Sequence, residues 1–117
     1  MSFCWCTVHV KDMDASVQFY EEIVGIYVDR RFKSPTGAEI AFLGDGETKL
    51  ELVANQGIFS GSGISVGMMV DDVDQKIAFL EEKGIPVHSG PFTPNPSIKY
   101  FYVQDPDGLL VQFVQRT

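Results

Sequence analysis

The feature that most constrains this chain is that it matches itself at an offset of about sixty positions. Val10-Lys-Asp12-Met-Asp14 aligns with Val70-Asp-Asp72-Val-Asp74. Val17 then aligns with Ile77, Phe19 with Phe79 and Glu21-Glu22 with Glu81-Glu82, after which a single deletion brings Gly25-Ile26 onto Gly84-Ile85. Coincidences this dense at one offset imply two copies of one supersecondary unit. With 117 residues in all, the two copies must fit in one domain of ordinary size.

Both copies have the same local reading. Residues 3–10 form an apolar, β-rich run, followed by an Asp whose side chain can accept from the free N–H groups of a helix start. The helix is predicted over about residues 15–24, with Val17, Tyr20 and Val24 on one stripe, Glu21 and Glu22 outside it, and Gly25 as the stop. In the second copy Asp74 is expected to open the helix, Ile77 and Leu80 to face inward, Gly84 to end it and Pro86 to prevent continuation. Three strand-like runs follow each helix, at about 27–32, 38–43 and 49–54, then 87–89, 98–103 and 109–114. Turns are marked by Ser34-Pro-Thr-Gly37, Gly44-Asp-Gly46 and Asp105-Pro-Asp-Gly108. The unit is βαβββ, used twice.

Between the copies lies Gly57-Ile-Phe-Ser-Gly-Ser-Gly63. A phosphate-binding glycine loop must lead into a helix N-terminus, and this one leads into the predicted strand 64–70, so it reads as a linker.

Charge and cysteine content narrow the function classes. The formal charge of −7, without a Lys or Arg cluster, excludes nucleic acid and anionic membrane surfaces as expected partners, since both need a basic patch. No leader-like segment and no apolar run near the ~20 residues of a membrane span is present, so a cytoplasmic location is expected. Cys4 and Cys6, next-nearest neighbours in a strand, share a face and are expected as buried free thiols. Two cysteines and two histidines do not supply a structural zinc site.

Strand alternation separates a core face from a second face. In the first strand Cys4, Cys6, Val8 and Val10 form the more apolar parity, leaving Trp5, Thr7 and His9 opposite. In the fourth, Leu50 and Leu52 go inward and Lys49, Glu51 and Val53 oppose them. The second copy contributes Ser65, Gly67 and Met69, then Tyr100 and Tyr102, then Leu110, Gln112 and Val114. A face mixing aromatic, aliphatic and polar side chains suits a concave ligand site. The repeat matches Trp5 with Ser65 and Glu51 with Gln112, so the four are expected about a pseudo-twofold axis.

The paired βαβββ modules, the Val10-Lys-Asp12…Phe19-Tyr20…Gly25 pattern, the Leu50-Glu51-Leu52 strand and Asp105-Pro-Asp-Gly108 resemble the vicinal oxygen chelate superfamily, the glyoxalase, bleomycin resistance protein and extradiol dioxygenase family. The resemblance covers nearly the whole chain. It implies an α+β fold: one domain over residues 1–117, with module one at about 1–56, a linker at 57–63 and module two at about 64–117. Its strands would form a cup-shaped mixed β-sheet with the helices on the outer face. It also implies a homodimer.

The family's metalloenzymes take ligands from positions that correspond here to Trp5, Glu51, Ser65 and Gln112, and only Glu51 keeps a ligand type. Trp cannot ligate, and an amide oxygen is a weak neutral ligand, so no cofactor is expected; if a divalent metal binds, Glu51 and Gln112 would hold it. His9 lies four residues from Trp5, about 13 Å along a strand, and can line the pocket without replacing the lost ligand. His88 reads as a surface residue.

Three functions remain open. The first is a metal-free protein sequestering a small aromatic or cationic compound, with Trp5, Tyr100 and Tyr102 stacking and Glu51 pairing with a cation or donor. The second is a lyase or isomerase of the lactoylglutathione lyase kind, with Glu51 as catalytic base and His9, Lys49 or Gln112 polarising a carbonyl. The third is an interaction protein without a small ligand, where a buried Glu51 is costly unless Lys49 or another partner compensates it.

Overall fold

The computed structural model describes residues 1–117. The chain divides into two compact units, Met1–Gly61 and Ser62–Thr117. Each is a βαβββ unit with its own four-stranded mixed sheet, in agreement with the repeat.

In the first unit the strands are β1 (Trp5–Val10), β2 (Val28–Lys33), β3 (Glu39–Leu43) and β4 (Lys49–Ala54), in sheet order β1-β4-β3-β2. β1 and β4 run parallel; the other pairs are antiparallel. The helix α1 (Met13–Gln18) starts two residues before the predicted position because Asp12 is the cap, its carboxylate accepting from Ala15 N at 3.0 Å. It does not continue as an α-helix: Phe19–Val24 is wound as a π-helix, and Gly25 ends it at φ +100°. The repeat explains the winding. Gly25 lies one residue farther from Asp12 than Gly84 lies from Asp72, and a π turn absorbs one extra residue without shifting the flanking cap positions. The helical segment buries Val17, Phe19, Tyr20, Ile23 and Val24, and the sheet's buried residues include Val8, Val10, Ala41, Leu43, Leu50 and Leu52.

In the second unit, β5 (Ser65–Met69), α2 (Val73–Glu82), β6 (Ser89–Asn95), β7 (Ile98–Gln104) and β8 (Leu110–Arg116) give the sheet order β5-β8-β7-β6. The cap of α2 is Asp72, accepting from Gln75 N at 3.0 Å, and not Asp74, which sits in the first turn and pairs with Lys99 at 2.8 Å. Gly84, at φ +73°, follows the helix as expected. The strand predicted at 87–89 begins at Ser89 and runs on to Asn95, although Pro91 and Pro94 weaken its strand signal; as an edge strand it tolerates residues without an N–H. The core centres on Phe101 and Phe113, directly paired in the β7–β8 ladder with centroids 5.2 Å apart, together with Val73, Leu80, Val103 and Val111.

The cysteines depart from expectation: Cys4 is exposed and Cys6 half-buried. They do share the parity of Val8 and Val10, but Cys4 precedes β1, and the buried part of the strand face begins only at Val8. No helix is long and apolar enough to cross a membrane.

Candidate functional site

In the first unit the alternation holds through β1 and along β4 as far as Leu52, whereas Val53, expected on the opposite face, is itself buried. Val8, Val10, Leu50 and Leu52 are buried on the helix side, and Trp5, Thr7, His9, Lys49 and Glu51 occupy the opposite parity. The parallel register sets Trp5 beside Lys49, Thr7 beside Glu51 and His9 beside Val53. Five of the ten candidate residues therefore share one two-strand surface.

Register also decides the partners of Glu51. The Thr7 hydroxyl donates to Glu51 Oε1, and Oε2 takes no hydrogen bond from the protein. Lys49 does not compensate the carboxylate. Its ammonium turns away to donate to the Gly44 carbonyl at 2.5 Å and stands 3.6 Å from Asp29. The half-buried Glu51 thus keeps one oxygen available on the face. His9 is held at the far end of β1, with Nδ1 3.1 Å from the Gln56 carbonyl oxygen and its own carbonyl accepting from Phe59 N at 3.0 Å. This tethering suits a rim residue.

Sequence reasoning missed the two remaining strands of this face. Glu51 is directly opposite Phe42 on β3, and Phe42 is directly opposite Arg30 on β2. Trp5 meets Phe42 edge-on across β4, with centroids 5.2 Å apart, and Phe42 stacks with Phe32 at 6.4 Å. Trp5 remains 46% exposed, so its ring presents a surface. The run Ile40-Ala41-Phe42-Leu43 is apolar at both parities, so alternation alone could not assign it; its pairing with the already assigned Leu50-Glu51-Leu52 would have placed Phe42 beside Glu51.

The second unit holds the other five candidates. Ser65 and Met69 are exposed on β5, Met69 to 65%, while Tyr100, Tyr102 and Gln112 are half-buried on β7 and β8. Gln112 is opposite Tyr102, and its amide nitrogen donates to the Tyr102 hydroxyl at 3.0 Å. Tyr100 stands edge-on to Tyr102 at 5.8 Å and 5.4 Å from Phe92, an edge-strand ring that the sequence reading also omitted. Gly67 takes the place that Thr7 has in the first unit, and a Cβ there would stand 3.4 Å from Gln112 Oε1, so Gln112 lies against this position without a side chain to bond it as Thr7 bonds Glu51. His88 is exposed, near the Ser89 hydroxyl at 3.2 Å, as expected of a surface residue.

These donors do not fit the family's divalent metal centre. Trp5 offers only an N–H, Ser65 an exposed hydroxyl and Gln112 an amide already engaged with Tyr102, leaving Glu51 as the one anionic oxygen donor of the four positions. No group of three or more His, Cys, Asp or Glu side chains could hold a metal ion. A cavity of about 220 Å³ does open in the first unit, but it lies at the turn side, lined by Gly25, Ile26, Tyr27, Val28, Asp29, Gly44 and Asp45, and includes none of the ten candidates.

Comparison with known proteins bears on the fold and the family. A sequence model of the Glyoxalase/Bleomycin resistance protein/Dioxygenase superfamily matches residues 2–113. Among relatives, the uncharacterized protein YwbC of Bacillus subtilis is 34% identical over 93% of each chain. A probable lactoylglutathione lyase of Synechocystis is 30% identical over 92% of this chain and 90% of its own. Among solved structures, TnmS3, an antibiotic binding protein from Streptomyces, superposes with a TM-score of 0.83 at 26% identity, over 100% of this chain and 97% of its own. The trypanothione-dependent glyoxalase I of Leishmania major superposes with a TM-score of 0.81 at 26% identity, over 98% and 86%.

Proposed function

Because this chain belongs to the Glyoxalase/Bleomycin resistance protein/Dioxygenase superfamily, we propose that it acts as a small-molecule-binding member that sequesters a small aromatic or cationic compound without a resident metal. The observation that carries this reading is the half-exposed Trp5 ring, edge-on to Phe42, beside a Thr7-bonded Glu51 with one free carboxylate oxygen. A planar ligand gains by lying on the aromatic pair, and a positive or donor group gains from the carboxylate. Tyr100, Tyr102 and Gln112, with Ser65 and Met69, form the ligand surface of the second module. The likeness to an antibiotic binding protein supports the same reading. The protein is proposed to work as a cytoplasmic homodimer.

Trp5 is the single tryptophan of the chain, so its fluorescence reports on this face directly. Titration with a panel of planar aromatic cations is expected to quench it saturably, with the affinity reduced in Glu51→Gln. A panel that leaves Trp5 emission unchanged at millimolar concentration overturns the proposal.

A second reading has its own support. Several relatives are lactoylglutathione lyases, and Glu51 Oε2 is free to accept a proton. In that reading Glu51 is the general base. Turnover of the hemithioacetal of methylglyoxal and glutathione, abolished in Glu51→Gln, would replace the binding role with catalysis.

A further inference from the structure

The first unit's sheet carries one unbroken cross-strand row on the face opposite its helix: Thr7, Glu51, Phe42 and Arg30, each directly opposite the next. Its ends differ in charge. Glu51 has a free carboxylate oxygen, and Arg30 lies two strand spacings away, roughly 10 Å between backbones.

Arg30 and its neighbour Arg31 have opposite fates. Arg31 points to the helix side, where Asp14 and Glu39 hold it at 2.5 and 2.7 Å. Arg30 has no carboxylate partner, and its guanidinium lies over the Phe32 ring at 4.9 Å. In a chain with net charge −7 and 16 acidic residues, an arginine on a ligand-facing row without an acidic partner is informative. The Phe32 ring lies against the guanidinium on one side, and a guanidinium without an acidic partner can bind an anionic group bidentately.

Resting on the ligand-binding reading above, we infer that the ligand is amphoteric: a planar aromatic body over Phe42, a positive or donor group at Glu51, and a carboxylate or similar anion at Arg30. Arg30 is then a specificity-determining residue, selecting zwitterions over plain aromatic cations.

The test uses 4′-(aminomethyl)biphenyl-4-carboxylate, whose charges span about the same distance, and its methyl ester, which lacks the anion. Isothermal titration calorimetry of the whole chain is expected to show the acid binding about tenfold more tightly than the ester, as one charge-assisted contact allows. Arg30→Gln should erase that preference by lowering the acid's affinity to that of the ester. An arginine with only a structural role would instead weaken both compounds alike. Equal binding of acid and ester, or a preference that survives in Arg30→Gln, overturns the Arg30 assignment and leaves the ligand-binding reading standing. If neither compound binds while aromatic cations still quench Trp5, the amphoteric inference alone fails. If the cations fail as well, both fall.

Discussion

Thr7 and Glu51 stand side by side in the parallel β1–β4 ladder, and the threonine hydroxyl donates to one oxygen of the carboxylate. The carboxylate is held by a neutral hydroxyl, which orients it without neutralising it. Thr7→Val keeps the β-branched shape but removes the donor, and is expected to cost about 1 kcal/mol in urea unfolding. In a double-mutant cycle with Glu51→Gln the two changes should couple, since they share one bond. Strict additivity would show that the contact contributes nothing.

The Trp5–Phe42 pair provides an optical readout. Phe42→Leu removes the edge-on ring at 5.2 Å and should shift Trp5 emission to longer wavelength, with a loss of roughly 0.5–1.5 kcal/mol. An unshifted spectrum would mean that the ring does not shield the indole.

Helix starts distinguish the observed caps from the one inferred in the second module. Asp12→Ala and Asp72→Ala each remove an acceptor from a first-turn N–H and should each cost about 1 kcal/mol. Asp74→Ala breaks only an exposed pair with Lys99 and should cost about 0.5 kcal/mol or less. Thermal melts of the three variants decide the order.

Gly90 sits at φ +96°, where a Cβ would come within 3.1 Å of the Cα and Cβ of Phe101 and of the Phe92 ring. Gly90→Ala therefore combines an unfavourable backbone conformation with pressure on a core strand, and a loss of about 1–3 kcal/mol is expected. A melting temperature equal to that of the parent would show that the β6–β7 edge yields freely.

Lys76 on α2 lies over Phe79 and Phe113, at 4.8 and 5.0 Å, and burial pushes its pKa below the ordinary lysine value. Between the lowered folded value and the ordinary one, the unfolded chain binds more protons, so this group makes stability rise with pH in that window. Urea midpoints from about pH 8 to pH 10.5 should show a rise in the parent that is smaller in Lys76→Met. A rise of the same size in both proteins would assign it to other groups.

Much of the fold was legible because it depends on local chemistry and on repetition. The two βαβββ units, the glycines ending the helical segments and the inward parity of β1, β4, β7 and β8 follow from periodicity and φ preferences acting over a few residues. Helix starts were less legible, since Asp12 and Asp14, like Asp72 and Asp74, are equally able to cap, and only the hydrogen bonds distinguish them. The exposure of Cys4 is not legible in the sequence because parity assigns a face but not how far the helix covers it.

What the sequence determined by itself is that a carboxylate at position 51 would project from a strand otherwise facing a core, on the same parity as Lys49. What the tertiary structure decided is its company: Thr7 and not Lys49 as partner, Phe42 beside it and Arg30 beyond. The physical reason is register. Residues 7, 30, 42 and 51 are brought into one row by ladder hydrogen bonds between strands distant in the chain, and a shift of one residue in any of them would turn a different set of side chains to that face.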